Sequence, residues 1–154
     1  DLDLVIRRAG LDRSDLIVVA GDNLFSESLA DFGVVCAQAN RPVLGVYDVG
    51  SVEQAKKYGV VEIGEGGSLL GFEEKPDSPK SSKIGIALYY YPREVVGMVA
   101  QYLAEGNNPD QPGRFVQWLY PRTAVHTWEV PGVWFDVGSK ETLEEANRLF
   151  AAFR

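Results

Sequence analysis

Five residues have types and positions suited to handling a divalent metal, a phosphate and sugar hydroxyls. Asp22 follows the apolar run Leu16-Ile17-Val18-Val19-Ala20. In an open α/β sheet, ligands gather beyond the carboxyl ends of strands, so an acidic residue there faces the expected cleft. Its carboxylate is a hard oxygen ligand suited to magnesium. The same side chain would equally serve to shape a turn through its own backbone. Asp136, in Trp134-Phe135-Asp136-Val137-Gly138-Ser139, also closes an apolar strand before a helix start. Two carboxylates at two strand ends could share one metal ion. Taken alone, Asp136 would instead favour the start of the last helix by its negative charge.

The third group is Glu73-Glu74-Lys75-Pro76. Lys75 offers a compact cation for phosphate, and Glu74 an acceptor for sugar hydroxyls. Such charged runs are more commonly solvated strand ends. Gly59 would let a sugar approach the main chain closely, or would simply turn the chain before a hairpin.

Other signals point elsewhere. Asp1-Leu2-Asp3 has the D-x-D form of many metal-dependent glycosyltransferases, but it precedes a helix instead of following a strand. The glycines at 64, 66 and 67 lie in a hairpin and do not match G-x-G-x-x-G, and no G-x-x-x-x-G-K-[ST] loop exists. His126 is the sole histidine, which disfavours a Ser-His-Asp hydrolase. Cys36 is the sole cysteine, which excludes an internal disulfide and a multi-Cys zinc site. It fits a reducing compartment, and we expect a cytoplasmic protein.

The elements that must position these residues alternate between strand and helix, the α/β signature. Leu2 to Arg8 reads as an amphipathic helix. The Leu16–Ala20 run, rich in β-branched residues, predicts a strand buried on both faces. It ends in the turn cluster Gly21-Asp22-Asn23. Residues 26–39 carry helical spacing, 42–47 a second strand, and Ser51-Val52-Glu53-Gln54 a capping box opening a short helix. An antiparallel hairpin follows, over 60–63 and 68–74 around a glycine-rich turn. After a polar loop, residues 84–91 form a strong strand, and Pro92 begins a helix reaching about Leu103. Residues 106–113 read as a loop and 115–120 as a helix. Strands come next at 124–130 and 133–137. Ser139 caps a final helix with Leu143, Ala146, Phe150 and Phe153 on one face.

The chain's 154 residues suit one domain with a real core. Hydrophobic residues make up 45% and charged residues 24%, the profile of an ordinary globular protein. A net charge of -7 argues against nucleic acid or an anionic membrane surface as partner. No apolar run approaches the roughly 20 residues of a membrane span, and no signal peptide is evident. The chain opens at Asp1 and its only methionine is Met98, so we expect a piece of a longer protein.

Together the motifs have a recognisable order. Val-Val-Ala-Gly-Asp-Asn-Leu-Phe (18–25), Lys-Tyr-Gly-Val-Val (57–61), Phe-Glu-Glu-Lys-Pro (72–76), Leu-Tyr-Tyr-Tyr-Pro (88–92), Trp-Phe-Asp-Val-Gly-Ser (134–139) and Glu-Thr-Leu-Glu-Glu-Ala-Asn (141–147) resemble the sugar-1-phosphate nucleotidyltransferases. That family includes glucose-1-phosphate thymidylyltransferases and uridylyltransferases. The resemblance covers nearly the whole chain. It implies a Rossmann-like mixed sheet flanked by helices with an antiparallel hairpin insertion, the nucleotide-diphospho-sugar transferase type. Residues 1–154 would then be one catalytic domain lacking its N-terminal nucleotide-binding part.

The resemblance further implies that Asp22 and Asp136 hold Mg²⁺, that Gly59 and Glu74 contact the sugar, and that Lys75 contacts its phosphate. The substrates would be a nucleoside triphosphate and a sugar-1-phosphate, most simply giving dTDP- or UDP-glucose and pyrophosphate. The family's Gly-x-Gly-Thr-Arg-Leu loop is absent from this sequence, Ala87 stands where many members have glycine, and Pro112-Gly113-Arg114-Phe115-Val116 replaces a Thr-Asp-Leu-Asn stretch. The isolated chain is therefore expected to be weakly active or inactive. Two alternatives accompany this reading: a non-catalytic sugar-phosphate-binding module, and a fragment whose open sheet edge pairs with another chain, giving a homo-oligomer.

Overall fold

The computed structural model describes residues 2–151. Its sheet is organised by one long strand and split into two cores by that strand's alternation. In chain order the elements are α1 (Leu2–Ala9), β1 (Leu16–Val19), β2 (Asn23–Phe25), α2 (Ala30–Gln38), β3 (Val43–Asp48), α3 (Val52–Ala55), β4 (Gly59–Ile63), β5 (Leu69–Glu74), β6 (Lys83–Tyr91), α4 (Arg93–Val96), α5 (Met98–Ala104), α6 (Pro112–Leu119), β7 (His126–Glu129), β8 (Trp134–Asp136) and α7 (Lys140–Phe150). A short 3-10 turn, Glu65–Gly67, links β4 to β5.

Successive side chains of a strand point to opposite faces, so β6 feeds two cores at once. Ile84, Ile86, Leu88 and Tyr90 enter one core with Phe32 and Cys36 of α2 and with Trp134. Tyr89 and Tyr91 enter the other with Ile6 of α1, Val99 and Tyr102 of α5, and Phe115 and Leu119 of α6. Helices thus cover both faces of a mixed six-stranded sheet ordered β5-β4-β6-β3-β7, with β1 joining along β6. Only the β3–β7 pairing is parallel among the described strands. Burial of side chains such as Phe32 and Leu119 contributes on the order of 2 kcal/mol each.

The partners of β6 matter most for the site. Its first half pairs with β4 (Gly59↔Gly85, Val60↔Ile84). Its second half pairs on the same side with β1 (Val19↔Leu88 to Leu16↔Tyr91). The strand therefore changes neighbour between Gly85 and Leu88. Gly85 and Ala87, small residues on one face, leave a crevice at that change.

Three local expectations give way to tertiary structure. β1 is not buried on both faces: Leu16 and Val18 pack against the core, whereas Ile17, 55% exposed, and Val19, 47% exposed, lie on the opposite, uncovered face. The turn at 21–23 leads into a strand instead of a helix at Ser26. There, pairing with β8 and the bond from Val133 N to Ser26 Oγ at 2.8 Å outweigh the local helical pattern, and α2 begins at Ala30. The expected helix from Pro92 divides into α4 and α5 at Gly97. Ser139 and Thr142 do form a reciprocal capping box at the start of α7, whereas at α3 only Ser51 accepts from Gln54 N. Phe153 lies outside the described residues. No described helix is long and apolar enough to cross a membrane.

Candidate active site

Asp22, Gly59, Glu74, Lys75 and Asp136 all line one cleft of about 290 Å³. The cleft occupies the crevice where β6 changes partner. Ala20 N donates to Ala87 O at 3.0 Å on one side, and Gly59 pairs with both Gly85 and Glu74 on the other. A larger groove of about 790 Å³ along the outer hairpin holds none of the five.

Asp22 and Asp136 are 114 positions apart in sequence, from 136 and 22, and a two-stranded ribbon joins them. Asn23 lies opposite Asp136 in the β2–β8 register, and Val137 N donates to Asp22 O at 2.8 Å. Asn23 fastens this ribbon twice: its Oδ1 accepts from Trp134 Nε1 at 2.5 Å, and its Nδ2 donates to Asp22 Oδ1 at 2.9 Å. The Trp134 ring packs in turn against Tyr47 and Tyr58, with centroids 5.6 and 5.5 Å away.

The electrostatics reflect this crowding. Burial holds the Asp136 carboxyl above its ordinary range, and the nearby charge of Asp22 adds to the rise; hydrogen bonding from Tyr58 and the charge of Lys75 oppose it. Burial likewise raises the Tyr58 hydroxyl, with Asp136 contributing. Glu74 is raised by burial, against the pull of Lys75 and Arg114. Two acids whose ionisation is penalised, beside a lysine, form a site that gains by taking up a cation and polar ligand groups.

Lys75, just after β5, has an unusual backbone state. Its φ of +49° is the only positive value among described non-glycine residues, and its N donates to Tyr58 O at 3.0 Å. Left-handed backbone at a residue with a side chain is uncommon and clusters at functional sites. Here it turns the lysine out of the strand direction into the cleft rim.

Gly59 lines the cleft, but the space beside its Cα belongs to a protein group. A Cβ there would collide with the Phe72 ring, and one on Gly85 would lie 2.9 Å from the same ring. The glycines admit Phe72 and so form the cleft floor.

Several lining residues carry no sequence signal of their own. Tyr58 and Trp134 sit inside quoted motifs and could have been named from adjacency. Lys57 lines this cleft and a neighbouring one of about 390 Å³ that shares Tyr58, Trp134 and Asp136, adding a second cation. Gly113 of α6 also lines the cleft, 39 positions beyond Glu74 (113 and 74), where periodicity says nothing about proximity. Of the residues set aside, Asp3 pairs with Arg7 at 2.6 Å on α1, and Asp1 lies outside the described residues. His126 lies on β7 and does not line the cleft. The buried Cys36 thiol is pushed up to about 11 by desolvation, as expected of a packing cysteine. Among the described residues no three His, Cys, Asp or Glu side chains gather as a metal site. The aspartate pair can therefore supply two protein oxygens, with other ligands coming from elsewhere.

A mixed sheet with helices on both faces, an antiparallel hairpin insertion and a cleft at the strand change define the nucleotide-diphospho-sugar transferase fold. A crystal structure from Bacillus anthracis, described as a glucose-1-phosphate thymidylyltransferase in complex with a sucrose, superposes with a TM-score of 0.81. It is 22% identical, over 95% of this chain and 58% of that one, and shows the fold. The chain belongs to the Nucleotidyl transferase family, whose model matches residues 4–152. A glucose-1-phosphate adenylyltransferase from Thermomicrobium roseum is 31% identical over 143 residues, 86% of this chain and 32% of that protein. A glucose-1-phosphate thymidylyltransferase from Streptomyces griseus is 29% identical over 147 residues, 95% of this chain and 41% of that protein. The chain thus spans about a third to two fifths of the length of these curated relatives.

Proposed function

We propose that the complete protein transfers a nucleoside monophosphate from thymidine or uridine triphosphate to glucose-1-phosphate, releasing pyrophosphate. The observation that carries this reading is the convergence of Asp22, Asp136, Lys75 and Glu74 on one cleft in a chain of this family. A phosphate oxygen of the sugar-1-phosphate attacks the α-phosphorus of the triphosphate, the bond to the β-phosphate oxygen breaks, and pyrophosphate departs. Such chemistry needs positioning and charge neutralisation more than a protein nucleophile.

The donor set fits magnesium. That ion takes one or two carboxylates and completes its shell with water and substrate phosphates, and the cleft offers two aspartates with no thiolate or imidazole. When bound, magnesium would neutralise phosphate charge and align the two phosphorylated reactants. Asp22 and Asp136 hold it, Asn23 keeps Asp22 in place, and Lys75 binds the phosphate of the attacking sugar. Glu74 accepts from sugar hydroxyls, and Gly59 and Phe72 shape the wall beside them.

The test is pyrophosphate release by the complete protein with glucose-1-phosphate, magnesium and each triphosphate in turn. ATP is included because one relative is named an adenylyltransferase. Release with TTP or UTP supports the reading. Release with ATP alone reassigns the base, and release with none overturns the activity. The 154-residue chain, whose sequence has no Gly-x-Gly-Thr-Arg-Leu loop, is expected to bind glucose-1-phosphate with little or no turnover.

A further inference from the structure

α6 meets Glu74 through two residues that the proposed chemistry leaves without a role: Gly113, which lines the cleft, and Gln117, which lies behind it. β5 is the outer strand among the described strands, so the N–H groups on its free side lack strand partners there. At Glu74 that vacancy is filled by a side chain: Glu74 N donates to Gln117 Oε1 at 3.2 Å, across 43 positions. One turn earlier, Gly113 lies against the Glu74 side chain. A Cβ at 113 would collide with the Glu74 carboxylate and come within 2.9 Å of its Cδ. Gly113 is buried, and its φ is not in the left-handed region, so backbone freedom does not explain the glycine. The space it leaves is filled by the carboxylate.

We propose that Gln117 and Gly113 are positioning residues that together set the Glu74 carboxylate, and thereby determine which sugar the cleft accepts. Gln117 fixes the main chain from which Glu74 projects. Gly113 lets the carboxylate lie back against α6, widening the cleft on that side. A side chain at 113 would push the carboxylate toward the bound sugar and narrow the range of hydroxyl patterns it can meet. This inference rests on the reading of Glu74 as the acceptor of sugar hydroxyls. The ligand class is a hexose-1-phosphate, with the carboxylate reading the ring hydroxyls and Lys75 the phosphate.

Calorimetric titration of the full chain with glucose-1-phosphate and, separately, with inorganic phosphate tests it. Inorganic phosphate reports on the cation and carries no ring hydroxyls for Glu74 to accept. Gln117→Ala and Gly113→Ala should each weaken glucose-1-phosphate binding by about five- to tenfold and leave phosphate binding unchanged. Gln117→Glu, which keeps an acceptor oxygen, should restore most of the loss. Hydrogen exchange at the Glu74 amide should accelerate in Gln117→Ala and return toward the parent rate in Gln117→Glu.

Unchanged glucose-1-phosphate affinity in both alanine variants overturns the proposal, and so does an equal loss for phosphate, which would mark general damage. A loss in Gln117→Ala alongside full affinity in Glu74→Gln also overturns it, because Gln117 would then act without the Glu74 carboxylate, while the metal and phosphate part of the site reading stands. A parent chain that binds inorganic phosphate but shows no preference for glucose-1-phosphate overturns the sugar role of Glu74 itself, and this inference with it.

Discussion

Asn23 on β2 stands directly opposite Asp136 on β8, and its side chain bridges the Trp134 indole to the Asp22 carboxylate. One short ribbon therefore delivers two acids from the two ends of the chain to the same cleft. Their proximity is a product of strand pairing, and that pairing, with the packing around it, sets four expectations.

Asp22→Asn should remove magnesium-dependent turnover in the complete protein while leaving the fold intact. Loss of a metal-holding carboxylate forfeits several kcal/mol of charge stabilisation, a drop on the order of 100-fold or more in rate. Pyrophosphate release measures the first half, and far-ultraviolet circular dichroism the second. Because the Asp22 charge helps to raise Asp136, the variant's Asp136 carboxyl should also titrate lower, as read by carboxyl-carbon NMR. An unmoved Asp136 titration would separate the two acids.

Stability should depend on pH through Glu74 and Asp136. Both are held above their ordinary values in the folded chain, chiefly by burial. In the window from about pH 4 up to those raised values, the folded state binds more protons than the unfolded state, so stability falls as pH rises. Their favourable contribution is fully present below that window and lost above it. Glu74→Gln combined with Asp136→Asn should remove this part of the slope and make the protein relatively more stable near neutrality. Asp48 is shifted the other way by hydrogen bonds from Ser82 and Gly50, so the readout is the difference between denaturation midpoints of variant and parent across pH. A constant difference would contradict the expectation.

Gly59→Ala should destabilise the fold by about 1–3 kcal/mol, the usual cost of overpacking, because its Cβ would collide with Phe72. Shrinking the ring by Phe72→Leu in the same chain should recover part of that loss, since neighbours in contact are not additive. Urea midpoints of the two single variants and the double variant supply the coupling. Simple additivity would show that the glycine is there for another reason.

Asn23→Ala should cost about 1–3 kcal/mol by leaving the Trp134 indole N–H without its partner. The near-ultraviolet signal of Trp134 should broaden, and magnesium affinity of the complete protein should weaken because Asp22 loses the donor that orients it. Stability equal to the parent's would place the anchor of the ribbon elsewhere.

Much of the fold is legible in the residue pattern alone. The strands at β3, β5 and β6 and the helix at α7 follow from alternation, helical spacing and Ser139 capping, all of which are properties of neighbouring residues. So does the order of motifs that marks the family. Where local pattern failed, tertiary structure decided: the helix expected from Ser26 yielded to the β2–β8 ribbon, and β1, apolar throughout, proved exposed on one face at Ile17 and Val19.

The amino-acid sequence by itself determined which acids, lysine and glycines were available and on which kind of element each would lie. Only the tertiary structure decided that Asp22 and Asp136 face one cleft, that Gly59 makes way for Phe72, and that Gln117 meets Glu74 across 43 positions. The reason is the range of the forces. Backbone preference and side-chain periodicity act over a few residues. The choice of which remote donor meets which acceptor arises only when the whole sheet closes and each buried polar group must find a partner.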